Sequence, residues 1–176
     1  MTREAPARRL VVLTGASGAG KTTIANAVEN RRPKVADVNY FDRVGVPTPE
    51  GMTAGWGSGE AWQREKTLEW MTRLANLPDR RKPVLFEGQM RFSFIEEGLR
   101  CAGIDSARIL LIDCNDRVRS SRLHGEREQP NLANPQMMSW AEYLRREART
   151  GGYAILDTSA LTLDQSIDRV RGYLWE

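Results

Sequence analysis

The chain has 176 residues, 40% hydrophobic and 28% charged, with a formal net charge of +3. That length suits one compact domain burying roughly 70% of its unfolded surface, which excludes small scaffolds stapled by disulfides or a structural metal. No apolar run reaches the ~18 residues needed to span a bilayer, and the charged stretch Met1 to Arg9 leads into an apolar run too short for an export signal, so a cytoplasmic protein is expected.

The first apolar cluster, Leu10 to Thr14, predicts a strand that runs into Gly15-Ala16-Ser17-Gly18-Ala19-Gly20-Lys21-Thr22. This segment fits G-x-x-x-x-G-K-[ST] at every fixed position, and a helical pattern, Lys21 to Asn30, follows it. Small residues let successive backbone N–H groups turn inward around phosphates, and the helix N-terminus adds a positive dipole end. Lys21 is expected to bridge the β- and γ-phosphates and the Thr22 hydroxyl to coordinate Mg²⁺, so the ligand read from the motif is a nucleoside triphosphate.

Further strands are predicted at Val35 to Phe41, Val84 to Glu87, Ile109 to Cys114 and Tyr153 to Leu156, and further helices at Gly59 to Asn76, Phe92 to Ala102, Asp116 to Glu126, Gln136 to Thr150 and Leu163 to Trp175. Apolar strands alternating with helices imply a parallel sheet covered on both faces, with ligands at the carboxyl ends of its strands. Two stretches break the alternation. Arg43 to Lys82 opens with a run rich in glycine and proline and is expected as a mobile loop plus a helix. Gly125 to Pro135 is polar and without period, a surface loop; either stretch could cover a site.

Phosphoryl chemistry calls for carboxylates near a metal and arginines near the moving group. Glu87 ends an apolar strand beside Gly88, where it could hold Mg²⁺ through water, and Asp113 ends its own strand the same way as the rival, ranked below Glu87 for want of a following Gly and an arginine such as Arg91. Asp42 closes the second strand just before the long insertion, with Asp37 a weaker competitor. Arg91, Arg122 and Arg127 are the phosphate candidates, with Arg119 behind them on the helix face of Arg122. Trp62 and Trp70 are spaced for packing, Trp56 could stack on a ring, and Trp140 and Trp175 read as anchors. Cys101 and Cys114 fit no metal spacing and are expected as small half-buried apolar groups, while the single His124 is expected at the surface or a hinge.

The base-reading Asn-Lys-x-Asp of GTPases is absent, and a hexameric motor needs a longer chain. With those set aside, the sequence resembles the P-loop small-molecule kinases, the group of adenylate, shikimate and gluconate kinases. The phosphate loop through Thr23 looks like those of gluconate and adenylylsulfate kinases. Val84 to Arg91 resembles the Asp-Gly-Phe-Pro-Arg element of nucleoside monophosphate kinases, with Glu87 for Asp and Gln89-Met90 for Phe-Pro. Arg117 to Arg127 is similar to their arginine-bearing helix entering the lid, and Ile155 to Ser159 resembles the last strand and adenine-side loop of shikimate and gluconate kinases.

The resemblance implies a three-layer α/β P-loop fold with about five parallel strands and one domain over 1–176, with an acceptor-binding insertion about 43–82 and a lid-like loop about 124–136. It implies ATP- and Mg²⁺-dependent transfer of the γ-phosphoryl to a small-molecule hydroxyl or phosphate. In that reaction Asp42 orients the acceptor as base, Arg91 holds the acceptor or moving group, Lys21, Arg122 and Arg127 neutralise charge, Thr22 and Glu87 hold the metal, and Asp157 lies on the nucleotide. A monomer or homodimer is expected, without nucleic acid or membrane. The runner-up is a nucleotide-binding or slow-hydrolysing switch with a protein partner.

Overall fold

Leu10 and Val12 face one side of the first strand, Val11 and Leu13 the other, and all four are buried. A strand with no wet face requires cover on both sides. The computed structural model, which describes residues 9–31, 36–79, 81–125 and 128–175, supplies it. β1 (Leu10–Thr14) lies at the centre of a parallel sheet of β2 (Asp37–Tyr40), β3 (Val84–Glu87), β4 (Ala107–Asp113) and β5 (Ala154–Asp157), in the order β2-β3-β1-β4-β5. The described residues form seven α-helices: α1 (Lys21–Arg31), α2 (Pro49–Trp56), α3 (Gly59–Ala75), α4 (Phe92–Cys101), α5 (Asp116–His124), α6 (Pro135–Gly151) and α7 (Leu163–Trp175).

The alternation within β1 assigns the layers. Val11 and Leu13 pack with Ile24 and Val28 of α1 and with Ile167, Val170 and Leu174 of α7. Leu10 and Val12 pack with Trp70, Met71 and Leu74 of α3 and Ile95 of α4. A third cluster joins Phe92, Leu111, Leu144 and Ala148 beneath α6. Each such side chain contributes roughly 1.5–3 kcal/mol by leaving water. The helices α3 and α4 approach closely at Gly98, where a Cβ would stand 2.6 Å from Met71 Cγ. Because β1 is flanked by β3 on one side and β4 on the other, the direction of winding reverses at β1, and a crevice opens outside its carboxyl end.

Several expectations need correction. The stretch after Arg43 is more ordered than a loop: Thr48 caps α2 by accepting from Gly51 N at 3.1 Å, Pro49 starts it and Gly57, at φ +82°, ends it. Gly51 and Gly55 lower helix propensity enough to hide this helix from a periodicity reading. β4 begins two residues early because Ala107 pairs with Leu10, and β5 covers Ala154–Asp157 rather than Tyr153 to Leu156. Val35 and Glu126, expected to begin a strand and end a helix, lie outside the described residues. Trp62 and Trp70 are core residues, whereas Trp175 is 48% exposed at the end of α7. Cys114 is buried, but Cys101 is exposed on the last turn of α4. No described helix is long and apolar enough to cross a membrane.

Candidate functional site

The phosphate loop leaves β1 at Thr14, whose hydroxyl donates to Met90 O at 2.6 Å and accepts from Met90 N at 3.1 Å. This clamps the segment after β3 beside the loop. Gly15 passes so close to β4 that a Cβ would stand 2.2 Å from Ile112 O. Gly18 and Gly20 take φ of +80° and +100°, a backbone that other residues adopt at a cost. Lys21 is buried, and its ammonium folds back to donate to Ala16 O at 3.2 Å, so its charge sits over the loop it follows.

Two side chains from the end of β3 reach this loop. Glu87, 5% exposed, accepts from the Thr22 hydroxyl at 3.2 Å, and Gln89 Oε1 accepts from the Ser17 hydroxyl at 3.2 Å. Gly88 between them admits no side chain, since a Cβ there would lie 2.5 Å from Phe41 Cβ. The Thr22 and Glu87 oxygens form a hard donor pair that fits Mg²⁺, an ion that keeps waters and takes phosphate oxygens rather than a full protein cage. No cluster of three or more His, Cys, Asp or Glu is formed among the described residues. Asp113, the rival carboxylate, is engaged elsewhere. Its Oδ1 accepts from Arg119 Nη2 at 2.8 Å and its Oδ2 from Arg145 Nε at 2.6 Å.

Behind the loop, Arg119 is fully buried and also donates to Ser17 O at 2.8 Å and Cys114 O at 3.0 Å. It therefore braces the loop from within the protein and does not face the crevice as sequence placed it. Arg122 does lie at the loop: Nη1 donates to Thr158 Oγ1 at 2.9 Å and to Ala19 O at 3.3 Å, and Nη2 to Thr158 O at 3.0 Å. The guanidinium borders a cavity of about 280 Å³ lined by Gly18, Gly20, Thr23, Thr158, Leu161 and Leu163. Asp157, at the end of β5 nearby, accepts from Ser159 N at 2.8 Å and Ser159 Oγ at 2.5 Å. The Ser159 hydroxyl holds the Asp157 carboxyl below the usual range. Arg127 lies outside the described residues. A larger cavity, about 450 Å³, opens at Leu10, Val84 and Cys101, at the amino ends of the strands and away from the loop.

On the other flank, Asp42 sits exposed in the short 3-10 turn Phe41–Val44 that follows β2, and its carboxylate has no partner among the described residues. The register pairs Tyr40 with Glu87, which puts this turn beside Gly88. Arg91 N-caps α4; its Nη2 donates to Glu60 of α3 at 3.2 Å, and its guanidinium lies 5.1 and 5.0 Å from the Trp140 and Tyr143 ring centres. Gln63 spans the segment between, donating Nε2 to Gln89 O at 2.9 Å and accepting from Arg91 N at 3.3 Å. Trp62 and Trp70 do not reach a ligand, since Trp70 Nε1 donates to Phe41 O at 3.1 Å and Trp62 meets the Phe41 ring edge-on. Trp56 is bound to Glu65 at 2.9 Å within the insertion. Sequence reasoning missed Gln63, Gln89, Arg145 and Thr158. Gln89 carried a signal, standing two residues from both Glu87 and Arg91; the others are joined to the site only by tertiary contacts.

No protein-family model matches the chain. A nucleotide-binding protein of Lactobacillus delbrueckii subsp. bulgaricus is 30% identical over 161 residues, which cover 88% of this chain and 49% of that protein. A nucleotide-binding protein of Rhodospirillum rubrum is 30% identical over 128 residues, covering 72% and 34%. The chain thus spans about half the length, or less, of these curated relatives. Among solved structures, a gluconokinase from Sinorhizobium meliloti 1021 superposes with a TM-score of 0.63 at 16% identity over 98% of this chain and 93% of its own. A shikimate kinase from Acinetobacter baumannii gives 0.62 at 12% identity over 94% and 92%. An APS kinase from Mycobacterium tuberculosis gives 0.61 at 16% identity over 98% and 100%. Five parallel strands, a complete phosphate loop at the central one and these superpositions agree: the chain has the fold of the P-loop small-molecule kinases.

Proposed function

We propose that the protein binds ATP and Mg²⁺ and transfers the γ-phosphoryl to a hydroxyl or phosphate of a small-molecule acceptor. The observation that carries this reading is the Thr22 to Glu87 contact at 3.2 Å beside the Lys21 loop, since it sets a metal-binding pair against a phosphate cradle. When bound, Mg²⁺ supplies charge neutralisation and a fixed geometry for the phosphate oxygens, with Thr22 and Glu87 as its protein partners. The loop from Gly15 to Thr23 holds the β- and γ-phosphates, and Lys21 and Arg122 offset the charge that develops on them. Arg127 is assigned the same task. The cavity beside Arg122 and Thr158 takes the base and ribose, and Asp157, which precedes Thr158, is assigned to the nucleotide.

On the acceptor side, Asp42 orients the acceptor hydroxyl and takes its proton. The acceptor oxygen then forms the new bond to phosphorus, the bond from the γ-phosphorus to the β-phosphate oxygen breaks, and ADP leaves. Arg91 holds the acceptor or the moving phosphoryl from the opposite side. In this scheme residues 43–82 form the acceptor-binding insertion and 124–136 the lid, in one domain acting in the cytoplasm as a monomer or homodimer.

ADP release from Mg²⁺·ATP, with and without pools of nucleosides, nucleotides, sugars, sugar acids and aminoglycosides, tests the reading, with Lys21→Ala as control. Release that depends on one pool and disappears in the variant is expected. Tight ATP binding with release indifferent to every pool overturns it in favour of a slow-hydrolysing switch with a protein partner. That second reading is favoured by the curated relatives, which are named for nucleotide binding alone and are about two to three times as long as the segment they share with this chain.

A further inference from the structure

The end of β3 sends two side chains to the phosphate loop, and only one has a task so far. Glu87 meets Thr22; Gln89 meets Ser17, also at 3.2 Å. Gln89 and its neighbours are tied down from three elements. The Gln89 carbonyl accepts from Gln63 at 2.9 Å, the next residue is bound on both backbone atoms by Thr14, and Ser17, its side-chain partner, is fixed from behind by Arg119 at 2.8 Å. Its neighbours Gly88 and Met90 are buried, while Gln89 itself stays half-buried. The carboxamide thus lies at the crevice with Oε1 satisfied by the Ser17 hydroxyl, and the two Nε2 hydrogens have no acceptor among the described residues.

A rigid, uncharged donor aimed beside a phosphate loop suits a charge that appears only during reaction, because it pays no reorganisation when that charge develops. Position supports the same use. Gln89 follows Glu87 by two residues, precedes Arg91 by two, and sets its carboxamide against Ser17 of the phosphate loop. We infer that Gln89 is a further catalytic residue, whose Nε2–H donates to an equatorial oxygen of the γ-phosphoryl in flight while Ser17 fixes the orientation of the carboxamide. The inference rests on the phosphoryl-transfer reading above. In the step it assists, the acceptor oxygen bonds to phosphorus as the bond to the β-phosphate oxygen breaks, and the acceptor proton passes to Asp42; Gln89 gives up no proton.

Gln89→Glu separates this role from a bracing one, since a carboxylate still accepts from Ser17 but has no hydrogen to donate to the phosphoryl. The measurement is the affinity of the purified chain for Mg²⁺·ADP alone and with aluminium fluoride, which stands in for the phosphoryl in flight, without and with the acceptor pools that supply the second axial oxygen. In the native chain the fluoride tightens ADP binding. In Gln89→Glu and the uncharged Gln89→Leu, ADP alone is expected to bind within about threefold of native, while the tightening falls by about a hundredfold, the scale of removing one transition-state donor. Gln89→Leu decides the case if the added charge in Gln89→Glu weakens ADP itself. Tightening retained in Gln89→Leu overturns the inference and leaves the kinase reading intact. No tightening in the native chain with any acceptor pool counts against phosphoryl transfer itself, and the role of Gln89 falls with it.

Discussion

Arg119 and Asp113 meet at 2.8 Å with the arginine wholly buried, and the same guanidinium holds Ser17 O of the phosphate loop at 2.8 Å. Removing Arg119 leaves Asp113 only Arg145 as counter-charge, takes the donor from Ser17 O and empties a fully buried volume. Arg119→Ala is therefore expected to destabilise the protein by about 2–4 kcal/mol. Arg145→Ala, which removes the half-exposed second partner and leaves Asp113 paired, should cost nearer 1–2 kcal/mol. Urea unfolding of the two variants checks the ranking; equal losses would show that Arg119 is not the brace.

Glu87 and Asp113 end the two strands that flank β1, yet only Glu87 reaches Thr22. Glu87→Gln should raise the Mg²⁺ concentration needed for half-maximal ATP turnover by about 10–100-fold, the usual effect of disturbing a metal's supporting ligands. Asp113→Asn should instead lower stability without shifting that Mg²⁺ midpoint. A Mg²⁺ titration of all three proteins distinguishes the two carboxylates.

The Ser159 hydroxyl, and then its backbone N–H, hold the Asp157 carboxyl below its ordinary value. Because the folded value lies under the unfolded one, the contribution is fully present above the unfolded value of about 3.9 and is lost as pH falls through the folded value. Ser159→Ala should raise the Asp157 midpoint toward that unfolded value and weaken the protein near neutral pH, the loss fading in acid once Asp157 is protonated in the folded and unfolded states alike. Carbon-detected NMR titration of Asp157 reads the shift directly.

Burial pushes the Cys114 thiol up, and its sulfur lies 3.6 Å from Gly18 O, whereas Cys101 is exposed. Thiolate is the reactive form, so iodoacetamide at pH 8 should label Cys101 in the folded chain and Cys114 only after unfolding. Mass spectrometry of the labelled peptides tests this; rapid native labelling at Cys114 would show that the floor of the loop opens.

Gly15→Ala places a methyl 2.2 Å from Ile112 O, a backbone atom of the adjoining strand that cannot turn aside. Loss of ATP binding together with a drop in melting temperature is expected. Gly45→Ala, also at positive φ but with open space around it, should show only the backbone strain, about 1–3 kcal/mol.

The glycine-rich loop was legible because its chemistry is local: eight consecutive residues between a strand and a helix carry every group that cradles a phosphate. The layer order was legible for a related reason, since β1 is apolar on both faces and only a covered parallel sheet accommodates that. The helix Pro49–Trp56 was not, because Gly51 and Gly55 blur the apolar period while the Thr48 cap and Pro49, which start it, are as common in turns.

Local sequence determined the phosphate loop, the strand and helix order and Glu87 and Asp113 as carboxylates at strand ends. It ranked Glu87 above Asp113 from the neighbouring Gly88 and Arg91, but not from what each carboxylate faces. That depends on the order β2-β3-β1-β4-β5, which sets Glu87 across 65 residues from Thr22 and turns Asp113 toward Arg119 and Arg145. The same packing converted Arg119 from a surface candidate into a buried brace, brought Gln89 to the loop and set Gln63 against the segment after β3. Side-chain type is written in the chain, but the partner that satisfies a buried charge or amide is chosen by which elements the hydrophobic core forces together.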